Sequence, residues 1–109
     1  DDVILDQEYL NAYTGGDTDL QIRILGLFSE NAPMYLKCLA VPNNENWRAD
    51  AHKLKGAARS IGAKRLASVA EKAEKLGNRR GNEQGKSELL EMLRLQLEET
   101  LKFIKDQYL

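Results

Sequence analysis

The sequence predicts an all-α domain: an up-down antiparallel four-helix bundle with a short extra N-terminal helix. Helix formers such as Leu, Ala, Glu and Lys dominate the composition, and the chain contains only two prolines. Apolar residues recur at the helical period along most of the chain, and the short breaks between these stretches favour antiparallel neighbours. At 109 residues the chain is most simply a single domain over residues 1–109, which can bury a core without disulfides.

The helices are predicted at about residues 7–13, 18–39, 44–60, 63–76 and 86–108. Asp6 is suited to cap the first helix, and Asp17 or Thr18 to cap the second. The apolar stripe of the second helix is predicted to contain Leu20, Ile24, Leu27, Phe28, Tyr35 and Leu39.

The third helix is expected to begin after a cap at Asn43 or Asn44, and Gly62 is suited to the left-handed position that ends it. Residues 77–85 are rich in glycine and carry Arg79 and Arg80, which predicts a basic-tipped loop. The apolar stripe of the third helix is Trp47, Ala51, Leu54, Ala58 and Ile61.

Several classes of function find no support in the sequence. Cys38 is the only cysteine, so no internal disulfide can form and a reducing, cytoplasmic location is expected; its place in an apolar helix predicts a buried structural role. One cysteine and one histidine on different helices do not make a metal site, and no nucleotide-binding glycine motif is present, so neither a metal nor a cofactor is expected. No apolar run is long enough to span a membrane, and no secretory signal is visible. Because the chain opens with Asp1, it is interpreted as a fragment or a processed form, and a monomer is the simpler expectation.

The net charge of −1 hides a basic middle segment. Residues 43–80 carry ten Lys or Arg and four Asp or Glu. This excess suggests an anionic partner surface, although a solvated helical face explains it equally well.

His52, the only histidine, lies on the third helix about 120° from the middle of the apolar stripe, so it is predicted to point to water. A surface histidine without a role is the ordinary interpretation, but three requirements for a nucleophile coincide here. An imidazole can act as a nucleophile at neutral pH. Lys55 lies one turn further on and could stabilise an attached phosphoryl group. Gly56, costly by about 1 kcal/mol within a helix, leaves a bare patch beside the ring.

The segment Ala51-His-Lys-Leu-Lys-Gly-Ala-Ala-Arg-Ser-Ile-Gly-Ala63 is similar to the signature of histidine-containing phosphotransfer (HPt) domains of two-component phosphorelays. The matching positions are Ala51, His52, Leu54, Lys55, Gly56, Ile61, Gly62 and Ala63. The resemblance implies the same helical bundle over nearly the whole chain. It also implies a phosphocarrier without its own ATP site, which exchanges phosphoryl groups with response-regulator receiver domains or a hybrid sensor histidine kinase.

The resemblance further implies a role for each site residue. His52 would carry the phosphoryl group on Nε2, Lys55 would neutralise it, and Gly56 would give the docking partner room. Glu74, which lies 22 residues after the histidine, would accept a hydrogen bond from the ring Nδ1–H; a solvated helix charge is the competing interpretation. The cations that would face the partner are Arg59, Arg48 and Lys64.

Two alternatives stay open. One is a small helical nucleic-acid-binding module that uses the cations of residues 48–80, although neither a helix-turn-helix nor an aromatic stacking platform is recognisable. The other is an adaptor that binds a receiver domain without transferring a phosphoryl group, against which the intact His52 argues.

Overall fold

The computed structural model describes residues 3–78 and 81–109 of the chain. This part contains five α-helices joined by short loops, and no strand. The helices are α1 (Gln7–Thr14), α2 (Thr18–Leu39), α3 (Trp47–Ser60), α4 (Lys64–Leu76) and α5 (Glu83–Gln107). Helices α2 to α5 form a closed ring in which each packs against the next and α5 returns to α2, while α1 lies against α2. The predicted all-α bundle with an extra N-terminal helix is confirmed.

Buried apolar residues from all five helices form one core cluster, and the predicted stripe of α3 is buried throughout. The stripe predicted for α2 is wrong at Leu27, which is 53% exposed, whereas Leu25 is fully buried. The buried positions of α2 follow one helical face, namely Gln21, Leu25, Phe28, Ala32 and Leu39. Leu27 is one residue, or about 100°, from Phe28 and so misses that face. Cys38 stands in the same relation to Leu39, so the prediction of a buried cysteine is also wrong: the thiol is exposed.

The first two helices begin with aspartate caps, as predicted. A carboxylate oxygen of Asp6 accepts from the Tyr9 amide at 3.0 Å, and one of Asp17 accepts from the Leu20 amide at 3.1 Å. In each case the side chain satisfies a backbone N–H that has no acceptor within its helix.

Helix α3 begins at Trp47, three residues later than predicted. Neither Asn43 nor Asn44 caps it. The Asn44 side chain instead accepts from the Asn46 amide at 2.7 Å and donates to the Cys38 carbonyl and to Asp50, both at 3.0 Å. These bonds tie the loop to the end of α2 and so displace the helix start.

Helix α5 begins at Glu83, earlier than the predicted residue 86. The predicted loop over 77–85 treated Gly85 as a break, but Gly85 lies in the first turn of α5 and faces the Leu76 side chain. The predicted basic tip, Arg79 and Arg80, lies outside the described residues.

The turn between α3 and α4 is a Schellman motif. Gly62 has φ +79°, its amide donates to the Arg59 carbonyl at 3.2 Å, and the Ala63 amide donates to the Ala58 carbonyl at 2.9 Å. The Gly62 carbonyl accepts from the Asp6 amide at 2.9 Å, so the start of α1 docks on this turn. A side chain at Gly62 would meet Asp6 and Tyr9 at 3.1–3.2 Å, which makes glycine necessary here for both conformation and space.

Candidate functional site

His52 lies on the outer face of α3, beside α4. Its neighbours Ala51 and Leu54 are fully buried, while the His52 side chain is 65% exposed. The two helices run antiparallel, because Arg48 near the start of α3 meets Asn78 beyond the end of α4, and Arg59 near the end of α3 meets Glu71. This arrangement places Glu74 of α4 directly opposite His52.

Glu74 joins His52 to Lys55. Its Oε2 lies 2.6 Å from His52 Nδ1, and its Oε1 lies 2.5 Å from Lys55 Nζ. The side chains of Glu74 and Lys55 are only 17% and 13% exposed, so this pair lies beneath the imidazole. The carboxylate can only accept, so the ring nitrogen that faces it donates as Nδ1–H. In the neutral imidazole, the opposite nitrogen, Nε2, then carries the unshared electron pair.

Hydrogen bonds from Lys55 and His52 hold the pKa of Glu74 below its ordinary value of 4.5. The hydrogen bond from Lys55 contributes most to lowering this pKa, the hydrogen bond from His52 comes next, and partial burial acts in the opposite direction. Glu74 is therefore a carboxylate at neutral pH, which is the form that can orient the ring and balance a positive charge on it.

The space one turn beyond His52 is open. A Cβ atom added at Gly56 would meet nothing within 4 Å, and its backbone is ordinary helix. Neither conformation nor crowding within the described residues requires glycine at this position, in contrast to Gly62. The absent side chain leaves the surface beside the imidazole flat.

A model of the Hpt domain family matches residues 23–103 of the chain, which include the whole of α3 and α4. The chain belongs to the Hpt domain family. Comparison with curated proteins and with solved structures gives no significant match. Hpt domains are phosphocarrier modules of two-component signalling, and they interact with receiver domains and kinases.

The cations predicted to face a partner of this Hpt domain do not form a single group. Arg59 is exposed and lies 3.4 Å from Glu71, a distance too long for a strong ion pair. Arg48 lies one turn before His52 and lines a shallow groove together with Lys55 and Glu74. Arg48 therefore lies one turn from the imidazole, whereas Arg59 lies two turns from it.

Lys64 lies at the far end of α3–α4, away from His52. Its ammonium contacts Asp6 Oδ2 at 2.9 Å, and this hydrogen bond is the largest cause of the lowered pKa of Asp6. The sequence interpretation missed this contact, because Asp6 and Lys64 are far apart in the chain. Since Asp6 also caps α1, Lys64 helps to attach that helix to the bundle.

Two cross-helix contacts near the site were also not predicted. The Trp47 indole N–H donates to the Ala73 carbonyl at 2.7 Å, and the Asn78 side chain accepts from the Arg48 amide at 2.9 Å. No sequence pattern marks these four residues as partners, so the two contacts become visible only when α3 is packed on α4.

The described residues offer no other chemical centre of the kinds considered. Within residues 3–78 and 81–109, no group of three or more His, Cys, Asp or Glu side chains could hold a metal ion. In the same part of the chain, no helix combines the length and the apolar character needed to cross a bilayer.

Proposed function

We propose that this Hpt domain is a phosphorelay intermediate that accepts a phosphoryl group on His52 Nε2 and exchanges it with the aspartate of response-regulator receiver domains. The observation that carries the proposal is the 2.6 Å contact between His52 Nδ1 and Glu74. It commits one ring nitrogen to the protein and leaves the other for a visiting group on a side chain that is 65% exposed.

The transfer needs no other proton acceptor on this chain. The Nε2 electron pair attacks the phosphorus of the receiver's acyl phosphate, an N–P bond forms, and the P–O bond to the aspartate breaks. The ring keeps its Nδ1–H and gains a positive charge, which the Glu74 carboxylate balances. Catalysis is then mainly positioning and charge neutralisation.

Lys55 fits the role of neutralising the phosphoryl group in addition to its contact with Glu74. An ammonium has three N–H donors, and the bond to Glu74 uses one of them. Lys55 lies one turn from His52 on the same helix, so a remaining donor would face a phosphoryl oxygen after a change in side-chain rotamer.

The receiver would dock over the open surface at Gly56, with Arg48 and Arg59 on either side. The acidic pocket and magnesium ion that the transfer requires would belong to the receiver, as the family resemblance implies. Arg48 and Arg59 would speed the encounter with such a pocket.

The proposal is tested by incubating the domain with a panel of receivers charged by acetyl phosphate. We expect rapid appearance of an acid-labile, base-stable label on the domain and none on His52→Gln. Equal labelling of His52→Gln and the parent would show that another residue is the acceptor.

A second variant separates charge neutralisation from folding. Lys55→Ala should slow the transfer about tenfold or more, since loss of one charge-assisted contact in the transition state is worth roughly 1.5–3 kcal/mol. Lys53→Ala, which removes an exposed lysine of the same helix, is the matched control and should transfer at the parental rate. Equal rates for both variants would contradict the role of Lys55.

The alternatives make different predictions. A nucleic-acid-binding module would bind DNA or RNA at physiological ionic strength with a steep salt dependence. An adaptor would bind receivers equally well but accept no label. The cytoplasmic location and the monomeric state expected from the sequence stay predictions.

A further inference from the structure

We infer that the start of α3 and the end of α4 form a reciprocal clamp, and that Trp47 and Asn78 are positioning residues which set the register that holds Glu74 against His52 Nδ1. This inference rests on the proposed function, because the register matters for the chemistry only if His52 carries the phosphoryl group. The clamp consists of two hydrogen bonds: Trp47 Nε1–H to the Ala73 carbonyl and the Arg48 amide to Asn78 Oδ1.

Each bond of the clamp satisfies a helix end that lacks a partner within its own helix. The carbonyls of the last turn of a helix have no intrahelical donor. The Gly77 amide, which could have reached the Ala73 carbonyl, donates instead to the backbone carbonyl of Glu74 at 3.0 Å. The indole of Trp47, buried to 2% exposure, supplies the donor that Ala73 lacks.

The start of α3 lacks hydrogen-bond acceptors, just as the end of α4 lacks donors. Its N-cap residue, Asn46, makes no side-chain hydrogen bond to the helix, so the amides of the first turn need another acceptor. Asn78 supplies that acceptor to Arg48 from 30 residues away. The chain can return to this position because Gly77 adopts φ +70°, a conformation that other residues rarely adopt. The end of α4 is therefore capped by α3, and the start of α3 is capped by the residue that follows the C-cap of α4.

The clamp lies next to His52 and Glu74. Glu74 directly follows Ala73, and His52 lies one turn beyond Arg48. A helix rises about 1.5 Å per residue. If α4 slipped along α3 by a single residue, Glu74 would move by that distance, which is enough to break its hydrogen bond to His52.

The apolar contact between the two helices is poorly suited to fix this register alone. Their buried faces are rich in alanine: Ala51 and Ala58 on α3, and Ala67, Ala70 and Ala73 on α4. Methyl groups form shallow ridges, which interlock less than those of larger side chains. The Arg59–Glu71 contact near the other end is 3.4 Å long and exposed. Apart from the bonds that Glu74 itself makes to His52 and Lys55, the two bonds of the clamp are the short directional contacts between α3 and α4 in the described part of the chain.

The composition of the chain makes the clamp directly testable. His52 is the only histidine, so ¹⁵N-histidine labelling gives the ring signals of that residue alone. In the parent we expect the neutral tautomer with the proton on Nδ1. Trp47 is the only tryptophan, so growth on benzothienylalanine, an isosteric analogue without the indole N–H, alters that single bond.

Both Asn78→Ala and the tryptophan analogue should slow phosphoryl transfer by about tenfold to a hundredfold, the range typical of a misplaced reacting group. They should also convert the ring signals of His52 to a mixture of tautomers. Asn78→Asp, which keeps an acceptor oxygen, should restore both the tautomer and the rate. Asn82→Ala is the matched control, because the Asn82 side chain makes no cap hydrogen bond, and it should behave as the parent.

Folded variants that keep the parental tautomer would overturn the clamp, whether or not their transfer rate falls, since a slower rate with an unchanged tautomer would not arise from the His52–Glu74 contact. If Asn78→Ala does not fold, the isosteric analogue at Trp47 decides the question. If the parent takes no label from any receiver, the proposed function fails, and the tautomer comparison still tests the clamp independently.

Discussion

At the scale of single residues, Glu74 is the side chain on which the geometry of the site depends. One carboxylate oxygen contacts the imidazole of His52 and the other contacts the ammonium of Lys55. Its position 22 residues after the histidine was predicted from the family resemblance alone, and the helical periodicity only permitted the contact. The structure adds the shared contact with Lys55, which no sequence pattern indicated.

The lowered pKa of Glu74 predicts a contribution to stability that depends on pH. Because the folded-state pKa lies below the ordinary 4.5, the contribution is fully present above 4.5 and is lost as the pH falls through the lowered value. Glu74→Gln cannot ionise, so its free energy of unfolding should fall less on acidification than that of the parent. Urea unfolding at neutral pH and at a series of pH values below 4.5 measures the difference.

Glu45→Gln is the control for this measurement. Glu45 is exposed in the loop before α3, and its carboxylate has no ion pair with any residue of 3–78 or 81–109. Its substitution should leave the pH dependence of unfolding unchanged. Identical acid profiles for Glu74→Gln and the parent would show that the contacts with Lys55 and His52 do not stabilise the folded state.

At the scale of elements, α3 combines a buried face and an end that the sequence predicted with a start that it did not. The helical period identified all five residues of the buried stripe, because burial of α3 follows local spacing. The end at Gly62 was also predictable, since a Schellman motif depends on residues within one turn. The start at Trp47 was not, because its acceptor comes from Asn78, and long-range partners leave no local pattern.

Two substitutions at Gly56 test helix stability and partner docking separately. Gly56→Ala should raise the free energy of unfolding by about 1 kcal/mol, because alanine is the better helix former and the added Cβ meets nothing within 4 Å. Gly56→Leu should also fold but should slow phosphoryl transfer by obstructing the receiver. Chemical denaturation and transfer kinetics on the same samples measure the two effects.

Gly26 provides the matched control within α2. It is also a helical glycine whose added Cβ would meet nothing within 4 Å. Gly26→Ala should give a similar gain in stability, and Gly26→Leu should transfer at the parental rate. If Gly56→Leu transfers as fast as Gly26→Leu, the open surface at Gly56 is not where the receiver docks.

At the scale of the whole molecule, the bundle acts as a rigid support that turns one imidazole outwards. Leu54, two residues after His52, is fully buried in the core, so the same short segment fixes the helix and presents the ring. Leu54→Ala should lower the free energy of unfolding by about 2–5 kcal/mol, the usual cost of such a cavity. Leu27→Ala, at a leucine that is 53% exposed, should lower it by much less, and equal losses in urea unfolding would contradict the assigned core.

The fold class was predictable as a whole because composition, periodicity and short connections all favour the same bundle. Two of the predictions that failed, the burial of Leu27 and of Cys38, depended on choosing among neighbouring apolar positions of α2, where Leu25 and Leu39 are buried. A helix with apolar residues on more than one face does not identify its buried side without knowledge of its neighbours.

The most direct test of the central claim is to identify the phosphorylated atom. The ¹⁵N-histidine-labelled domain, phosphorylated by a charged receiver, can be followed by ³¹P and ¹⁵N NMR, in which only His52 contributes ring signals. The geometry predicts a phosphoryl group bonded to Nε2, with the proton retained on Nδ1 and directed to Glu74. A phosphoryl group on Nδ1, or on any residue other than His52, would contradict the account.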